Sequence, residues 1–412
     1  MKSGFFHCRL IRPATAILSV VCALLVSAQD SGPDITIKKG AVRTIPISLS
    51  GYSDEVRKIL EFDLYVVGFE VNSGAAVLVP GAPAGSGAPQ YRLAGGGQGE
   101  VRGTLSDVNS QQVLFARTYP GGSVRAQAHA LANDVVKTLL QLPGIAHTKI
   151  AFRNLPGGRN ARGELISEIW ASDCDGANGV ALTGDGSIAF GPSWVPGQLK
   201  LFYTSFRGSR PEIYLQDLRS GNRTRVFSFP GTSSSPAVSP DGSKVVMVLS
   251  RSGSPDLWLA NVDGSGLRQL TTTKELEASP CWSPDGRTIC FTSAEGGRPS
   301  LYTIPVSGGA MKRLNTGGVT QCTEPDWSPD GQWIAFTRAA GEFTIYVMPA
   351  AGGSANAIAA GEDPSWSPNS RTLVFTRRVG GERRLSLLDV PSKHVKDLGR
   401  ISGGCSQASW SR

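Results

Sequence analysis

Histidine, the side chain that most often acts as a general base, is rare in this sequence. After residue 28 the chain has three histidines, His129, His147 and His394. A Ser-His-Asp triad needs a histidine beside a serine, and α/β-hydrolases present that serine in a Gly-x-Ser-x-Gly turn. No such turn occurs in the sequence. These observations argue against a hydrolase with a Ser-His-Asp triad, and we interpret His129 as a structural residue.

The sequence also shows no pattern of cysteines or histidines that predicts thiol chemistry or a metal site. Five cysteines follow residue 28, an odd number that leaves at least one thiol unpaired, so the chain is not a disulfide-built scaffold: Cys174, Cys281, Cys290, Cys322 and Cys405. Cys281 and Cys290 flank a turn, where they are either a cross-hairpin disulfide or, as we favour, two small buried apolar residues. Without a Cys-x-x-Cys pair or a clustered histidine, the sequence predicts no metal site.

A sequence repeat in the second half of the chain predicts the scaffold that would position a functional site. A Ser-Pro-Asp-Gly sequence or a close variant recurs with its proline at residues 196, 240, 284, 329 and 368. Proline, aspartate and glycine in this order favour a tight turn between two strands. A spacing of about 40–45 residues is typical of the blades of a β-propeller.

The order of apolar and polar runs predicts four strands in each repeat and six repeats in total. The chain reaches Trp410-Ser411-Arg412 where a further turn would begin, whereas the strands at Lys149–Phe152 and Leu165–Asp173 have no preceding Ser-Pro turn. We predict that the last strand completes the first blade, which closes the ring without a free sheet edge. The fold class is therefore an all-β six-bladed propeller over residues 148–412.

Residues 29–147 predict a small α/β (α+β) domain before the propeller. Ser123 can cap a helix whose apolar residues run from Val124 to Leu139 on one face. A weaker helix is predicted over Asp54–Asp63, and the Gly- and Pro-rich segment Pro80–Pro89 is a loop. The predicted strands are Ile35–Ile37, Ile45–Ile47, Tyr65–Val71, Val101–Leu105 and Gln112–Arg117.

The first 28 residues have the pattern of a signal peptide. Lys2, Arg9 and Arg12 precede an apolar run over residues 14–26, which ends at Val26-Ser27-Ala28. We predict cleavage after residue 28 and export of the mature chain. The 412-residue chain carries a net charge of +8, but its basic residues form no block. Nucleic-acid binding is not expected, because it needs a clustered basic face.

The combination of an export signal, a small α/β domain and a closed six-bladed propeller resembles the TolB family of the bacterial Tol-Pal system. The residues that carry the resemblance are the Ser-Pro-Asp-Gly repeats, the helix Arg125–Asp134 and the following segment 144–152. Residues 64–100 match the family poorly. The resemblance implies a periplasmic, non-enzymatic protein without cofactors. Such a protein links the peptidoglycan-associated lipoprotein Pal to the TolA/TolQ/TolR inner-membrane complex and supports outer-membrane integrity and cell division.

The resemblance also implies two partner-binding sites. Pal would dock at the propeller mouth, on the loops that run into the Ser-Pro-Asp-Gly strands: Thr232, Ser233, Ser234, Ser235, Ala278, Ser279, Thr323, Glu324, Glu362 and Asp363. TolA would engage the N-terminal strand: Asp34, Ile35, Thr36 and Ile37. The Thr-Glu-Pro that the family carries in its third complete repeat stands here in the fourth, at Thr323-Glu324-Pro325.

Two alternatives remain at the level of the sequence. A metal-dependent propeller enzyme, such as a lactonase or hydrolase, would direct Glu324, Asp326, Glu362 and Asp363 into the channel, and a ligand-binding propeller would hold a sugar or peptide there. The repeat-position tryptophans 194, 282, 327, 366 and 410 are predicted to pack rather than to stack on a ligand. The turn arginines 207, 210, 377, 378, 383 and 384 are predicted to be solvated rather than to form a polyanion groove.

Overall fold

The computed structural model describes residues 44–72, 88–96 and 99–412. The predicted signal peptide, the predicted strand at Ile35–Ile37 and most of the loop Pro80–Pro89 lie outside the described residues. Within the described part of the chain, no helix is both long and apolar enough to cross a membrane.

The N-terminal α/β region consists of a five-stranded sheet and two helices. Its elements are β1 (Ile45–Ser50), α1 (Asp54–Tyr65), β2 (Phe69–Asn72), β3 (Tyr91–Gly96), β4 (Val101–Asp107), β5 (Val113–Tyr119) and α2 (Val124–Leu140). The strand order is β2-β1-β3-β4-β5, with β1 parallel to both β2 and β3. Both helices begin at a serine N-cap, Ser53 or Ser123, whose hydroxyl accepts a backbone N–H. Ser123 is the predicted cap.

Two predictions for this region were wrong. Tyr65 ends helix α1 instead of beginning a strand, because the chain turns at residues 66–68 before β2. Strand β3 was not predicted, because its glycines resemble a loop. A Cβ atom on Gly95 would lie 2.0 Å from the carbonyl oxygen of Arg102 on the neighbouring strand. Glycine is therefore required there by the close approach of the strands.

The remaining strands form six four-stranded sheets arranged as a propeller. In chain order they are β6 (Lys149–Leu155), β7 (Glu168–Asp173), β8 (Val180–Ala181), β9 (Ala189–Trp194), β10 (Lys200–Ser205), β11 (Glu212–Asp217), β12 (Arg223–Phe227), β13 (Ser233–Val238), β14 (Lys244–Leu249), β15 (Asp256–Asn261), β16 (Arg268–Gln269), β17 (Glu277–Trp282), β18 (Thr288–Ser293), β19 (Ser300–Pro305), β20 (Lys312–Arg313), β21 (Cys322–Trp327), β22 (Trp333–Arg338), β23 (Thr344–Pro349), β24 (Asn356–Ala360), β25 (Glu362–Trp366), β26 (Thr372–Val379), β27 (Glu382–Asp389), β28 (Val395–Asp397) and β29 (Gly404–Trp410).

The ring closes as predicted. Blade 1 has the order β29-β6-β7-β8, so its first strand comes from the end of the chain. Blades 2 to 6 each use four consecutive strands, beginning with β9, β13, β17, β21 and β25. The first strands of neighbouring blades contact one another around the whole ring. These strands therefore surround the central axis, as in other propellers.

The repeat residues form the predicted tight turns, and the repeat tryptophans pack as predicted. In blade 3, the Ser239 hydroxyl donates to Asp241 Oδ1 at 2.5 Å, and Gly242 takes the left-handed conformation with φ of 71°. Four of the five repeat tryptophans are buried in the blade cores. The fifth, Trp327, is partly buried and packs against the edge of a blade core. The Trp282 indole donates to the carbonyl of Ala237 in the preceding blade at 2.8 Å, so this tryptophan also ties two blades together.

The cysteine and arginine predictions had different outcomes. All five cysteines are buried and free, and Cys281 lies directly opposite Cys290 on β17 and β18. The prediction that the six turn arginines are solvated was wrong for two of them. Arg377 lies within β26 and forms a bidentate pair with Asp397 at 2.8 and 2.9 Å. Arg383 lies within β27, 3.0 Å from Glu362. Blade 6 has longer second and third strands, so these arginines are not in a turn.

One hydrophobic core continues from the α/β region into blades 6 and 1. At its edge, the Tyr65 ring stacks on His394 with centroids 4.2 Å apart, and the Thr372 hydroxyl donates to the carbonyl of Val66 at 3.1 Å. His129 is buried in the α/β core with its Nδ1 2.6 Å from Asp63 Oδ2.

Candidate partner-binding site at the propeller mouth

The starts of the first strands and the connections between second and third strands lie on one face of the propeller. In four blades, the residue after the second strand donates its N–H to the carbonyl of a residue before or at the start of the first strand, at 2.8–3.1 Å: Phe206 to Ile188, Ser250 to Thr232, Ala294 to Leu276, and Ala339 to Gln321. These two sets of loops therefore form a single surface, which we call the mouth.

The structure brings the predicted Pal-binding segments together at this mouth. Thr232–Ser235, Ala278-Ser279, Thr323-Glu324 and Glu362-Asp363 occupy the same position in blades 3, 4, 5 and 6. Their members differ in exposure. Ser233, Ser234 and Glu362 are buried, whereas the other seven residues are partly exposed. A partner at the mouth would therefore contact only part of the predicted set.

A bulged residue interrupts the first strand of every blade at the mouth. The pairing register of each first strand shifts at this point. One residue there has a left-handed backbone, with φ between 49° and 60°: Gly191, Ser235, Ser279, Glu324, Asp363 and Gln407. The sequence analysis missed Gly191 and Gln407. Five of the six stand directly before the first proline of the repeat, which is a signal that would have found Gly191.

Side chains of the bulged residues link successive blades by hydrogen bonds. The N–H of Asp363 donates to Glu324 Oε2 at 3.0 Å, and the N–H of Gln407 donates to Asp363 Oδ2 at 3.1 Å. The N–H of Gly191 then donates to Gln407 Oε1 at 3.3 Å. Each acceptor receives the backbone N–H of the next blade, so the carboxylates of Glu324 and Asp363 hold blades 5, 6 and 1 in register.

The mouth favours protonated carboxyl groups at its centre. Burial raises the pKa of Glu324, and the nearby charge of Asp363 raises it further. Burial also raises the pKa of Asp363. Both side chains keep some exposed surface, but they stand side by side in the ring of first strands, where little water solvates them. Burial and Asp363 together raise the pKa of Glu362 to about 7, although Arg383 opposes the shift.

The carboxylates considered for a metal site do not act as one group. Asp326 accepts the backbone N–H of Trp366 at 2.6 Å and pairs with Arg412 at 2.9 Å, on the side of the ring away from the mouth. Glu324 and Asp363 accept backbone hydrogen bonds as described above. Within the described ranges, no group of three or more His, Cys, Asp or Glu residues is arranged to hold a metal ion.

Solved structures share this architecture. The chain is similar to TolB from Acinetobacter baumannii, with a TM-score of 0.77 and 25% sequence identity, over 90% of this chain and 97% of that one. Hydrazine synthase from Kuenenia stuttgartiensis shares the propeller fold alone, with a TM-score of 0.54 and 15% identity over 64% of this chain and 46% of that one.

Curated relatives and a family model point to the same protein family. A Tol-Pal system protein TolB from Gluconobacter oxydans is 31% identical over 264 residues, which cover 58% of this chain and 57% of the relative. One from Hahella chejuensis is 34% identical over 157 residues, 35% of each chain. The chain thus aligns with between about a third and three fifths of the length of these relatives. The family model of the TolB beta propeller domain matches residues 136–412, two thirds of the chain, and the chain therefore belongs to the TolB β-propeller family.

Proposed function

We propose that this chain is the TolB component of a Tol-Pal system, exported to the periplasm and without enzymatic activity. In this proposal, Pal binds at the propeller mouth and TolA engages the segment Asp34–Ile37, which connects Pal indirectly to TolQ and TolR. The protein would thereby support outer-membrane integrity during cell division. The curated relatives carry the name Tol-Pal system protein TolB, and family membership extends that role to this chain.

The observation that carries the proposal is the arrangement of the mouth. Ala278 and Thr323 are partly exposed at equivalent positions of blades 4 and 5, and Thr232 is partly exposed two residues before the equivalent position of blade 3. Backbone hydrogen bonds fix the strands that present them, so a partner would meet a preformed surface and lose little free energy in ordering it. No arrangement in the described residues specifically favours the alternative of a channel enzyme, since Glu324 and Asp363 are engaged in the inter-blade hydrogen bonds.

Binding to Pal from the same organism tests the proposal directly. We expect the mature chain to bind purified Pal in isothermal titration calorimetry. The variants Thr232→Arg and Ala278→Arg should weaken binding by at least about tenfold, because each places a bulky charge in the contact surface. The matched control is Thr224→Arg, which puts the same side chain on the exposed outer strand β12. Absence of binding by the unmodified protein, or equal loss in the control, would overturn the proposal.

A further inference from the structure

Arginines surround the mouth at the connections between second and third strands or, in blade 6, at the ends of those strands beside the connection. Eight of them are exposed, on five of the six blades. We call this set the arginine collar: Arg159 and Arg162 in blade 1, Arg207 and Arg210 in blade 2, Arg251 in blade 3, Arg298 in blade 4, and Arg378 and Arg384 in blade 6. In blade 5 the same connection carries Phe343, which is 38% exposed.

Most of the collar has no carboxylate partner within the protein. Arg207 lies 3.8 Å from Asp185, and Arg384 pairs with Glu382 at 3.1 Å. The other six arginines form no ion pair with any residue that the structure describes. The exposed carboxylates on the same connections are only three, Glu295, Glu342 and Glu382. Arg251 lies over the rings of Phe229 and Trp258, and Arg159 donates to the carbonyl of Gly163, but neither contact neutralises a charge. The collar therefore carries a surplus of positive charge over the carboxylates around it.

The centre of the same surface has the opposite character. Inside the collar lie the carboxyl groups of Glu324, Glu362 and Asp363 on the first strands of blades 5 and 6. Arg383 connects the two zones, because it lies 3.0 Å from Glu362 and immediately beside Arg384 of the collar. The mouth thus presents a positive rim around a centre of hydrogen-bond acceptors.

The positive rim and the carboxyl groups at the centre favour an acidic protein over a membrane surface as the ligand of the mouth. A membrane surface would place phosphate groups over the whole mouth, including the central carboxyl groups, which offer a phosphate no positive charge. A folded protein can place acidic side chains over the rim and N–H or O–H donors over the centre. Charge complementarity of this kind steers association and excludes wrong partners.

We propose that the arginine collar binds the acidic face of a protein partner, which places hydrogen-bond donors over the carboxyl groups at the centre of the mouth. The inference rests on the proposed function, since it names the surface chemistry of the partner that docks there. The collar arginines are exposed and interact through solvent, so salt screens them within a Debye length of about 8 Å at physiological ionic strength. Partner binding should therefore weaken as salt increases.

Charge reversal on the two faces of the propeller provides the test. The collar variant is Arg210→Glu with Arg298→Glu, both exposed loop residues without an ion pair in the described chain. The control variant is Arg219→Glu with Arg287→Glu, which makes the same change in charge on exposed turns of the opposite face. For Pal binding measured by calorimetry, we expect the collar variant to be weakened by about tenfold or more and to lose much of its salt dependence. The control should match the unmodified protein.

Two further probes separate failure of this inference from failure of the proposed function. A labelled oligoglutamate peptide should bind the unmodified protein at low salt and lose affinity only in the collar variant. If Pal binds both variants equally and without salt dependence, the inference is wrong and the proposed function stands. If Pal does not bind at all but oligoglutamate depends on the collar, the proposed function fails and the inference holds for another acidic protein. If the collar variant loses binding to phosphatidylglycerol vesicles but still binds Pal and oligoglutamate normally, the inference is wrong and the collar contacts a membrane instead.

Discussion

Glu277, the first residue of β17, is a side chain at the mouth whose protonation makes the stability of the folded protein depend on pH. It is 1% exposed, and burial raises its pKa to about 7, with further contributions from the charges of Asp256 and Glu295. Its Oε1 accepts hydrogen bonds from Thr273 at 2.8 Å and from Ser293 at 3.0 Å, whereas its Oε2 has no partner. The site therefore suits a neutral side chain better than a carboxylate.

This arrangement predicts that stability falls as pH rises. The folded protein holds the Glu277 proton to a higher pH than the unfolded chain does, so the contribution is complete below the ordinary pKa of 4.5 and is lost as pH rises through about 7. We expect Glu277→Gln to raise the free energy of unfolding at pH 8 by on the order of 3 kcal/mol and to have little effect at pH 4. Urea unfolding at both pH values measures this change.

The exposed Glu295 supplies the matched control for that experiment. Glu295→Gln removes the same charge from a nearby loop without removing a buried carboxylate. It should change the free energy of unfolding by less than about 0.5 kcal/mol at either pH. Equal stabilisation by the two variants would show that local charge, rather than burial of Glu277, controls the pH dependence.

At the scale of the strand and turn, Gly331 in the Ser-Pro-Asp-Gly turn of blade 5 has two separate roles, which a comparison with Gly341 in the connection between β22 and β23 distinguishes. Gly331 has a φ of 76°, which favours glycine, and a Cβ atom there would lie 3.3 Å from Cγ of Pro284 in the preceding blade. Gly341 has a similar φ of 71° but open space around it. The two positions therefore share the backbone requirement and differ in the inter-blade contact.

Alanine substitution at these two glycines separates the roles. We expect Gly341→Ala to lower the free energy of unfolding by about 1 kcal/mol through backbone strain alone. Gly331→Ala should cost about 1 kcal/mol more, because its Cβ must displace a packed proline ring. Denaturant titrations of both variants measure the difference. If the two losses are equal, the turn does not contribute to packing between blades.

These elements also show what the sequence predicts and what it does not. The Ser-Pro-Asp-Gly turns, the helix cap at Ser123 and the four-stranded blades follow from local residue preferences and were predicted, whereas the cap at Ser53 was not. The left-handed backbone at Glu324 and Gln407 was not predicted, because neither residue type favours it, and at Asp363 the residue type alone is too weak a signal. It results from the bulge in each first strand, where the pairing register with the second strand of the same blade shifts. Strand β3 was missed for a similar reason, since its glycines are required only by the neighbouring strand.

The mouth itself appears only at the scale of the whole ring. Its predicted segments come from the family resemblance. They lie on the first strands of neighbouring blades, and their contact with Pal stays a prediction. The arginine collar was not recognised, because its members are spread over five repeats and each resembles an ordinary solvated turn residue. Only the closure of six blades brings them to one face.

The opposite end of the axis contains a side-chain contact between two blades that are not neighbours in the ring. Arg412 follows β29 of blade 1 and reaches Asp326 on β21 of blade 5, 86 residues away in sequence, with distances of 2.9 and 3.0 Å to the two carboxylate oxygens. The carbonyl of Arg412 accepts the N–H of Gly197 in blade 2 at 3.3 Å. Burial raises the pKa of Asp326, and the charge of Arg412 partly opposes that shift. Arg412 thus joins three blades and compensates a partly buried carboxylate.

A double-mutant cycle tests whether this pair acts as a unit. Arg412→Ala should lower the free energy of unfolding by about 1–3 kcal/mol at pH 8, because it leaves Asp326 without its cation. The loss should be smaller at pH 4, where the raised pKa allows Asp326 to be protonated in the folded protein. Asp326→Asn in the Arg412→Ala background should recover most of the loss, since a neutral amide needs no cation and can still accept the N–H of Trp366. Additive losses in the double variant, measured by urea unfolding, would mean that Arg412 stabilises the ring through another contact of its side chain, such as the hydrogen bond to the Trp327 carbonyl at 3.3 Å, and not through the charge of Asp326.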